Sequence, residues 1–258
     1  MVFISLVLAT TLTGPGDPVP APIQYRIEQQ VETLIDLSVF GQGEQTQTQS
    51  FTWFTTVSLS DSAGGHLLHI VLDSIQANLG IAQVAPASYD SARGIEFHGF
   101  LDDWGRLNSL TPPTSGGLFS GLFEAQVKSL FPRVKPNARA GESWTDTLTI
   151  DTKTPQGTMN AVTITAFQLG GLETQAGVPA IRVDASFTTT TMGKLQTPAG
   201  SADLEGQGSG TGSYYLAGDG YLVRSTSSGT GDALMTGSFA PVPIPLRITT
   251  SVTVTRIE

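Results

Sequence analysis

A two-residue alternation of apolar and polar side chains runs through most of this chain and limits the folds open to it. From Tyr25 to Val39, apolar residues such as Ile27, Val31 and Ile35 alternate with polar ones. Successive side chains of a β-strand point to opposite faces of a sheet, so this pattern predicts a half-buried strand, roughly 45–50 Å long if unbroken. Strands of that length usually bend or break at a bulge.

The same alternation returns in later segments and predicts a mainly β protein. Predicted strands begin at Phe51, Leu67, Ile95, Trp144, Ile181 and Leu246. Two of the turn sequences between strands, Asp102–Gly105 and Gly218–Gly220, are typical of hairpins. The glycine-rich run 206–212 predicts a flexible strand margin or a hairpin. Strands and helices do not alternate along the chain, so we predict one long, curved antiparallel sheet that resembles half of a barrel.

One segment breaks the alternation and has helical periodicity. Between 115 and 131, apolar side chains recur at steps of three and four residues. Pro132 ends this segment, because its ring removes a backbone donor and disfavours helix at the preceding residue. We predict one central amphipathic α-helix, 115–131, packed on the sheet at positions such as Trp53, Val57 and Ile164. The helix residues expected in this contact are Phe119, Leu122, Phe123, Val127 and Leu130.

The first 22 residues differ from the rest of the chain. They combine an apolar run, too short to span a bilayer as an ordinary helix, with a linker of Gly, Pro and Ala. Residues 1–22 are therefore predicted to be the remnant of a secretory signal with a cleavage site near Ala21, and the alternative is a buried first strand. Residues 23–258 are predicted to form a single β-rich domain. Two similar β halves, 23–110 and 143–258, joined by the helix, are an alternative organisation.

Charge and cysteine content exclude several function classes. The chain has 22 acidic and 13 basic residues and a net charge of −9. Nucleic acid and anionic membrane are not expected partners, because no basic patch is available to displace their counterions. The absence of cysteine excludes disulfides, thiolate metal sites and a cysteine nucleophile. No cofactor is predicted.

The chain has three histidines, His66, His69 and His98, which are its candidate imidazole ligands for a metal ion. His66 and His69 are three residues apart, so on a strand they point to opposite faces and cannot hold one metal ion. If His69 and His98 meet across neighbouring strands, Asp73 or Glu96 lies near them. Solvated or hydrogen-bonded surface roles are the expectation for these residues, and we predict no metal site.

No catalytic residue is predicted either. Ser120 lies in the sequence GLFSG, which is not the G-x-S-x-G elbow of serine hydrolases. The glycine-rich run 206–212 has no lysine and no following helix, so a phosphate-binding loop is not expected. The acidic pair Asp102–Asp103 is interpreted as part of a hairpin turn rather than as a calcium site.

Two short phrases carry a resemblance to known proteins. Phe131-Pro132 and Gly141-Glu142-Ser143-Trp144 resemble a pattern of uncharacterised exported bacterial β-rich proteins, in which a G-(D/E)-S-W phrase follows a helix. The general plan also resembles the half-barrel of periplasmic lipoprotein carriers of the LolA and LppX type. That resemblance implies a curved sheet closed over helices that can hold an acyl chain.

We therefore predict a non-catalytic, exported protein of the cell envelope, periplasmic or secreted, that acts as a structural or interaction module of unknown partner. Membrane association is expected only through such a partner. One alternative is a periplasmic carrier that binds a lipid or another apolar small molecule between sheet and helix. Its ligand-binding residues would be Trp53, Phe119, Leu122 and Phe123. A second alternative is an unrecognised hydrolase.

Overall fold

The computed structural model describes most of the chain from residue 21 onward. The described residues are 21–78, 92–102, 105, 107–111, 123–124, 126–128, 130–135, 137–154, 157–197, 200–218, 220–237 and 242–257. The predicted signal remnant therefore lies almost entirely outside the described residues. Within the part that is described, no helix has the length and hydropathy needed to cross a membrane.

Eleven antiparallel strands form one sheet in the described residues. The strands are β1 (Ile23–Asp36), β2 (Glu44–Ser62), β3 (Gly65–Asn78), β4 (Ile95–Asp102), β5 (Leu107–Thr111), β6 (Ser143–Thr154), β7 (Gly157–Gln175), β8 (Val178–Thr197), β9 (Gly200–Ala217), β10 (Leu222–Gly237) and β11 (Ile244–Ile257). Their order in the sheet is β5-β4-β3-β2-β1-β11-β10-β9-β8-β7-β6. The predicted mainly β, antiparallel class is confirmed.

Two meanders, β1–β5 and β6–β11, meet where the first strand pairs with the last. Ile27 on β1 lies opposite Trp53 on β2 and opposite Val254 on β11. Each meander otherwise pairs strands that follow one another in the chain, as short hairpin connections require. Both predicted hairpin turns are found, with Gly105 donating to Asp102 and Gly220 donating to Ala217.

The first strand is shorter than the alternation predicted. β1 ends at Asp36 rather than at Val39, because the Asp36 carboxylate accepts the Ser38 N–H at 2.9 Å and starts a turn. A 3-10 turn, Ser38–Phe40, follows, and Gly41 ends it in the left-handed conformation with φ of 72°. Side chain-to-backbone bonds of this kind compete with the ladder of a sheet.

The main hydrophobic core lies on one face of β1–β4, which we name the core face. Ile27, Trp53, Ile70 and Phe97 on this face are fully buried. Phe123 covers them: its ring stacks on Trp53 at 5.4 Å and meets Phe97 edge-on, also at 5.4 Å. The opposite side of the sheet is named the outward face.

The predicted central amphipathic α-helix is not supported by the described residues. Helical conformation is described at 123–124, 126–128 and 130, and Phe131 already lies in a bend. Residues 112–122 lie outside the described residues, so a helix over 115–131 is not supported as predicted. The apolar side of the described segment does face the core, since Phe123 and Val127 are fully buried and Leu130 is nearly so.

The predicted contact of this segment with Ile164 is wrong. Ile164 is 49% exposed, whereas Phe167 on the same strand is buried. The two residues are three positions apart on β7, so their side chains point to opposite faces of the sheet.

The prediction of a flexible strand margin or hairpin at 206–212 is also wrong. It lies inside β9, and its glycines pair with two glycines, an alanine and a serine of β10 and with residues of β8. A Cβ on Gly210 would overlap the Ser228 carbonyl oxygen and Cζ of Phe187. Glycine is therefore needed there for close approach of neighbouring strands rather than for flexibility.

The phrase Gly141-Glu142-Ser143-Trp144 builds the entry to the second meander. The Trp144 indole N–H donates to the Arg133 carbonyl oxygen at 2.7 Å, and its ring stacks on Phe167 at 5.6 Å. Gly141 has φ of 84° and donates its N–H to the Leu169 carbonyl oxygen at 2.7 Å. This geometry gives the phrase an architectural role at the start of β6.

Glu142 closes the loop before β6. Its carboxylate accepts hydrogen bonds from the Lys135 ammonium and from the Arg139 backbone N–H. The hydrogen bond from Lys135, and next the one from Arg139, lower the pKa of Glu142 below its ordinary value. The charged carboxylate is thus the form that this loop favours.

Candidate functional site

Two of the four residues predicted to hold an apolar ligand, Trp53 and Phe123, lie in the core. The rings of Trp53 and Phe123 stack on each other, and both side chains are fully buried. Phe119 and Leu122 lie outside the described residues. The described pair contributes to core packing, and its role in binding a ligand stays a prediction.

The two histidines His69 and His98 meet across neighbouring strands on the outward face. β3 and β4 pair antiparallel, and their register places His69 directly opposite His98. Glu96 precedes His98 by two residues and therefore points to the same face. Nε2 of His69 lies 3.1 Å from Oε2 of Glu96, and Nε2 of His98 lies 3.7 Å from the same oxygen.

The geometry of this cluster is regular and open to solvent. The two imidazole rings are stacked, with centroids 4.6 Å apart and planes inclined by 4°. The side chains of His69, Glu96 and His98 are 39%, 54% and 63% exposed. One nitrogen or oxygen atom from each of the three lies within 4.8 Å of the other two, so the set can chelate an ion without moving the backbone.

Asp73 and His66 do not join the cluster. The Asp73 carboxylate accepts the Thr56 hydroxyl at 2.8 Å. His66 lies beside Asp61, with Nδ1 and Oδ1 3.1 Å apart. Sequence reasoning placed Glu96 and Asp73 equally near the two histidines, and only the register of β3 and β4 distinguishes between them.

A second feature of the outward face is an array of hydroxyl groups on β8–β11. The register aligns Thr253, Thr226 and Ser213 in one row across three strands. Two further rows run parallel to it, at a spacing of about 6.8 Å along the strands. Their members are Ser251, Ser228, Thr211 and Ser186, and Thr249, Thr230, Ser209 and Thr188.

Part of this array lines an open groove of about 560 Å³, which we name the polar groove after its charged and hydroxyl side chains. The groove residues with polar side chains on the outward face are Arg182, Asp184, Thr211, Ser213, Thr226, Ser228, Ser251 and Thr253. The sequence showed that these strands are rich in Ser and Thr. It did not show the groove, because the twist of a sheet and the alignment of its strands are not readable from one strand at a time.

The groove contains one cation and one anion, and they bind each other. Nε of Arg182 donates to Oδ1 of Asp184 at 2.8 Å, and the Ser213 hydroxyl donates to the same oxygen at 2.7 Å. The hydrogen bond to Asp184 is the main cause that raises the pKa of Arg182 above its ordinary value. Glu173 adds a longer contact at 3.4 Å. Glu173 is not among the lining residues, so the one positive and the one negative charge of the lining cancel.

No protein-family model matches this sequence, and no curated protein matches it. Several solved structures are similar over most of its length. Neisserial surface protein A is 6% identical over 92% of this chain and 100% of its own, with a TM-score of 0.25. OccK9 (OpdG) of Pseudomonas aeruginosa is 8% identical over 92% and 98%, with a TM-score of 0.30. A mutant porin of Rh. blastica is 9% identical over 92% and 100%, with a TM-score of 0.26.

The predicted resemblance to lipoprotein carriers of the LolA and LppX type is wrong, as is the family defined by the G-(D/E)-S-W phrase. No family model matches the chain, and its described residues form one eleven-stranded sheet in which a 3-10 turn is the one continuous helical element, not a sheet closed over helices. At TM-scores of 0.30 or less, the likenesses to solved structures carry no inference about the function of this chain. The phrase itself is explained by the loop and strand contacts of Glu142 and Trp144.

Proposed function

We propose that this chain is a non-catalytic interaction module of the cell envelope that binds a neutral, hydroxyl-rich ligand, a carbohydrate chain, in the polar groove of β8–β11. The observation that carries this proposal is the groove itself, with aligned hydroxyls from three strands beside a paired Arg182 and Asp184. A hydroxyl side chain both donates and accepts hydrogen bonds, which suits a ligand whose own groups do the same.

The charge of the groove favours an uncharged ligand. Arg182 and Asp184 neutralise each other, and the remaining outward-facing groups are hydroxyls. A phosphate or carboxylate ligand would compete with Asp184 for Arg182 and would leave a carboxylate without its cation, which is unfavourable. A carbohydrate can accept from Arg182 and donate to Asp184 while that ion pair stays intact.

Binding without hydrolysis is supported by the acidic groups of the groove. Asp184 is the one carboxylate among the lining residues. Most glycoside hydrolases use two carboxylates that flank the bond to be cleaved, about 5–10 Å apart. Asp184 also accepts two hydrogen bonds already, from Arg182 and Ser213.

The envelope location is supported by composition. Charged residues make up only 14% of the chain, and the strands are rich in threonine, serine and glycine. Threonine suits a half-solvated pleated surface, and a low charge density of this kind is common in exported β proteins.

Titration with neutral polysaccharides tests the proposal. The purified chain is screened against an array of neutral glycans in buffer with a metal chelator, and binding is then measured by calorimetry. The double variant Thr211→Val and Thr226→Val removes two groove hydroxyls with little change in shape, and we expect at least a tenfold loss of affinity. Thr249→Val is the matched control, because Thr249 lies on the same face outside the groove lining. The proposal is wrong if no neutral glycan binds, if the double variant binds as tightly as the natural chain, or if Thr249→Val loses as much affinity as the double variant.

A further inference from the structure

We propose that His69, Glu96 and His98 form a binding site for one divalent transition-metal ion of the zinc and copper class. This inference is independent of the carbohydrate groove, which lies on β8–β11. It rests on three side chains that the register of β3 and β4 brings to one spot on the outward face.

The distances between the three ligand atoms fit a metal site. Zinc bonds to imidazole nitrogen and carboxylate oxygen are about 2.0–2.2 Å, so the ligand atoms of a tetrahedral site lie about 3.3–3.6 Å apart. The two distances from Oε2 of Glu96 are 3.1 Å to His69 and 3.7 Å to His98. They lie close on either side of that range, so small rotations of exposed side chains would complete the site.

The backbone explains why this arrangement is stable. His69 and His98 are directly opposite in an antiparallel pair, where Cβ atoms are about 4.5–5.5 Å apart. Glu96 follows from the two-residue period of β4. Because three ligands come from two paired strands, most of the ordering that a metal site requires is already present in the fold.

The ligand types select the metal. Two imidazoles suit zinc, copper and nickel, whereas calcium and magnesium prefer sites built of oxygen ligands alone. The three side chains are 39–63% exposed, so water can occupy the remaining coordination position. The carboxylate of Glu96 and the overall charge of −9 both favour binding of a cation.

The site has a structural consequence at the edge of the sheet. β4 has eight residues, and its outer neighbour β5 has five. A metal ion bound by His69 on β3 and by Glu96 and His98 on β4 links these two strands through side chains in addition to the ladder. We expect the metal to slow amide hydrogen exchange in β4 more than in β8, which lies across the sheet.

Calorimetric titration of the full chain with zinc chloride tests the site. The natural chain is expected to bind one zinc ion. Each of the substitutions His69→Gln, His98→Gln and Glu96→Gln replaces one of the three metal ligands by a neutral amide. Loss of an outer-sphere partner weakens metal binding about 10–100-fold, so loss of a ligand is expected to weaken it at least as much.

His66→Gln is the matched control. His66 also lies beside a carboxylate, that of Asp61 at 3.1 Å, but this pair has only two ligand groups. The control variant is expected to bind zinc as tightly as the natural chain. The proposal is overturned if the natural chain binds no zinc, if the three ligand variants bind it as tightly as the natural chain, or if the His66 variant loses binding equally. Circular dichroism before titration verifies that each variant is folded, and failure of this site leaves the glycan titration, performed with chelator, unaffected.

Discussion

The ring of Phe123 lies between two aromatic side chains of the sheet. It stacks on Trp53 and meets the edge of Phe97, and all three side chains are fully buried. Aromatic pairs at such distances add to the stabilisation that burial alone provides. At the residue scale, Phe123 is therefore the aromatic contact between the segment outside the sheet and the main core, and Val127 and Leu130 of that segment are buried beside it.

Replacing Phe123 by alanine is expected to lower the free energy of unfolding by about 3–5 kcal/mol, because the change removes a fully buried ring and leaves a cavity. Chemical denaturation followed by tryptophan fluorescence and circular dichroism measures the loss. Ile164→Ala is the control: this side chain is 49% exposed, and its loss should change stability by less than about 1 kcal/mol. Equal effects of the two substitutions would contradict the assignment of Phe123 to the core.

Strand β9 has glycine at four alternate positions on its core face, from Gly206 to Gly212. Gly208 and Gly210 lie opposite Gly231 and Gly229 of β10, and Phe187 of β8 reaches over the second pair. Glycine normally weakens a strand. Here an aromatic ring covers the bare backbone of the glycine pair, and at the element scale this contact replaces the missing side chains.

Gly210→Ala is expected to destabilise the protein by about 1–3 kcal/mol, because a Cβ there would overlap the Ser228 carbonyl oxygen and the Phe187 ring. Thermal unfolding of the variant measures the effect. Gly171→Ala serves as the comparison: Gly171 has open space around its Cβ position and does not have positive φ. That change should be neutral or slightly stabilising, by about 0.4–1 kcal/mol at most. If Gly210→Ala is as harmless as Gly171→Ala, close packing does not explain the glycine.

The pairing of β1 with β11 holds the two meanders in one sheet. β11 lies between β1 and β10, and Thr250 pairs with Val31 on one side and with Gly229 on the other. Contacts between the ends of a chain are the most costly in loop-closure entropy. At the scale of the whole molecule, the pairing of β1 with β11, which we name the seam, therefore carries the largest loop-closure entropy cost of the sheet.

Thr250→Pro is expected to lower stability by about 3 kcal/mol or more, because proline removes a backbone donor from the middle of a strand that is paired on both sides. Thr250→Ala loses the same hydroxyl but keeps the N–H, so it should cost about 1 kcal/mol or less. Denaturant titration of both variants gives the comparison. A proline variant as stable as the alanine variant would mean that the seam contributes little to the fold.

Local patterns were sufficient for the apolar parts of most strands and for the two hairpins. The alternation in Ile27–Ile35, and the turns at Gly105 and Gly220, depend on residues that are neighbours in the sequence. The same local information failed for 206–212, where glycines favour a turn in isolation. Their place in a strand depends on Phe187 and β10, which are distant in the chain.

The sequence alone determined the β class, the antiparallel pairing of neighbouring segments and the absence of sites that need cysteine, because each depends on residue type and on a period of two. Only the tertiary structure decided that β1 pairs with β11, that Glu96 rather than Asp73 joins His69 and His98, and that hydroxyls of β9–β11 share a groove. The physical reason is register. The alternation within one strand determines which face of the sheet each side chain takes. The residue opposite each side chain is set by pairing between segments that are distant in the sequence.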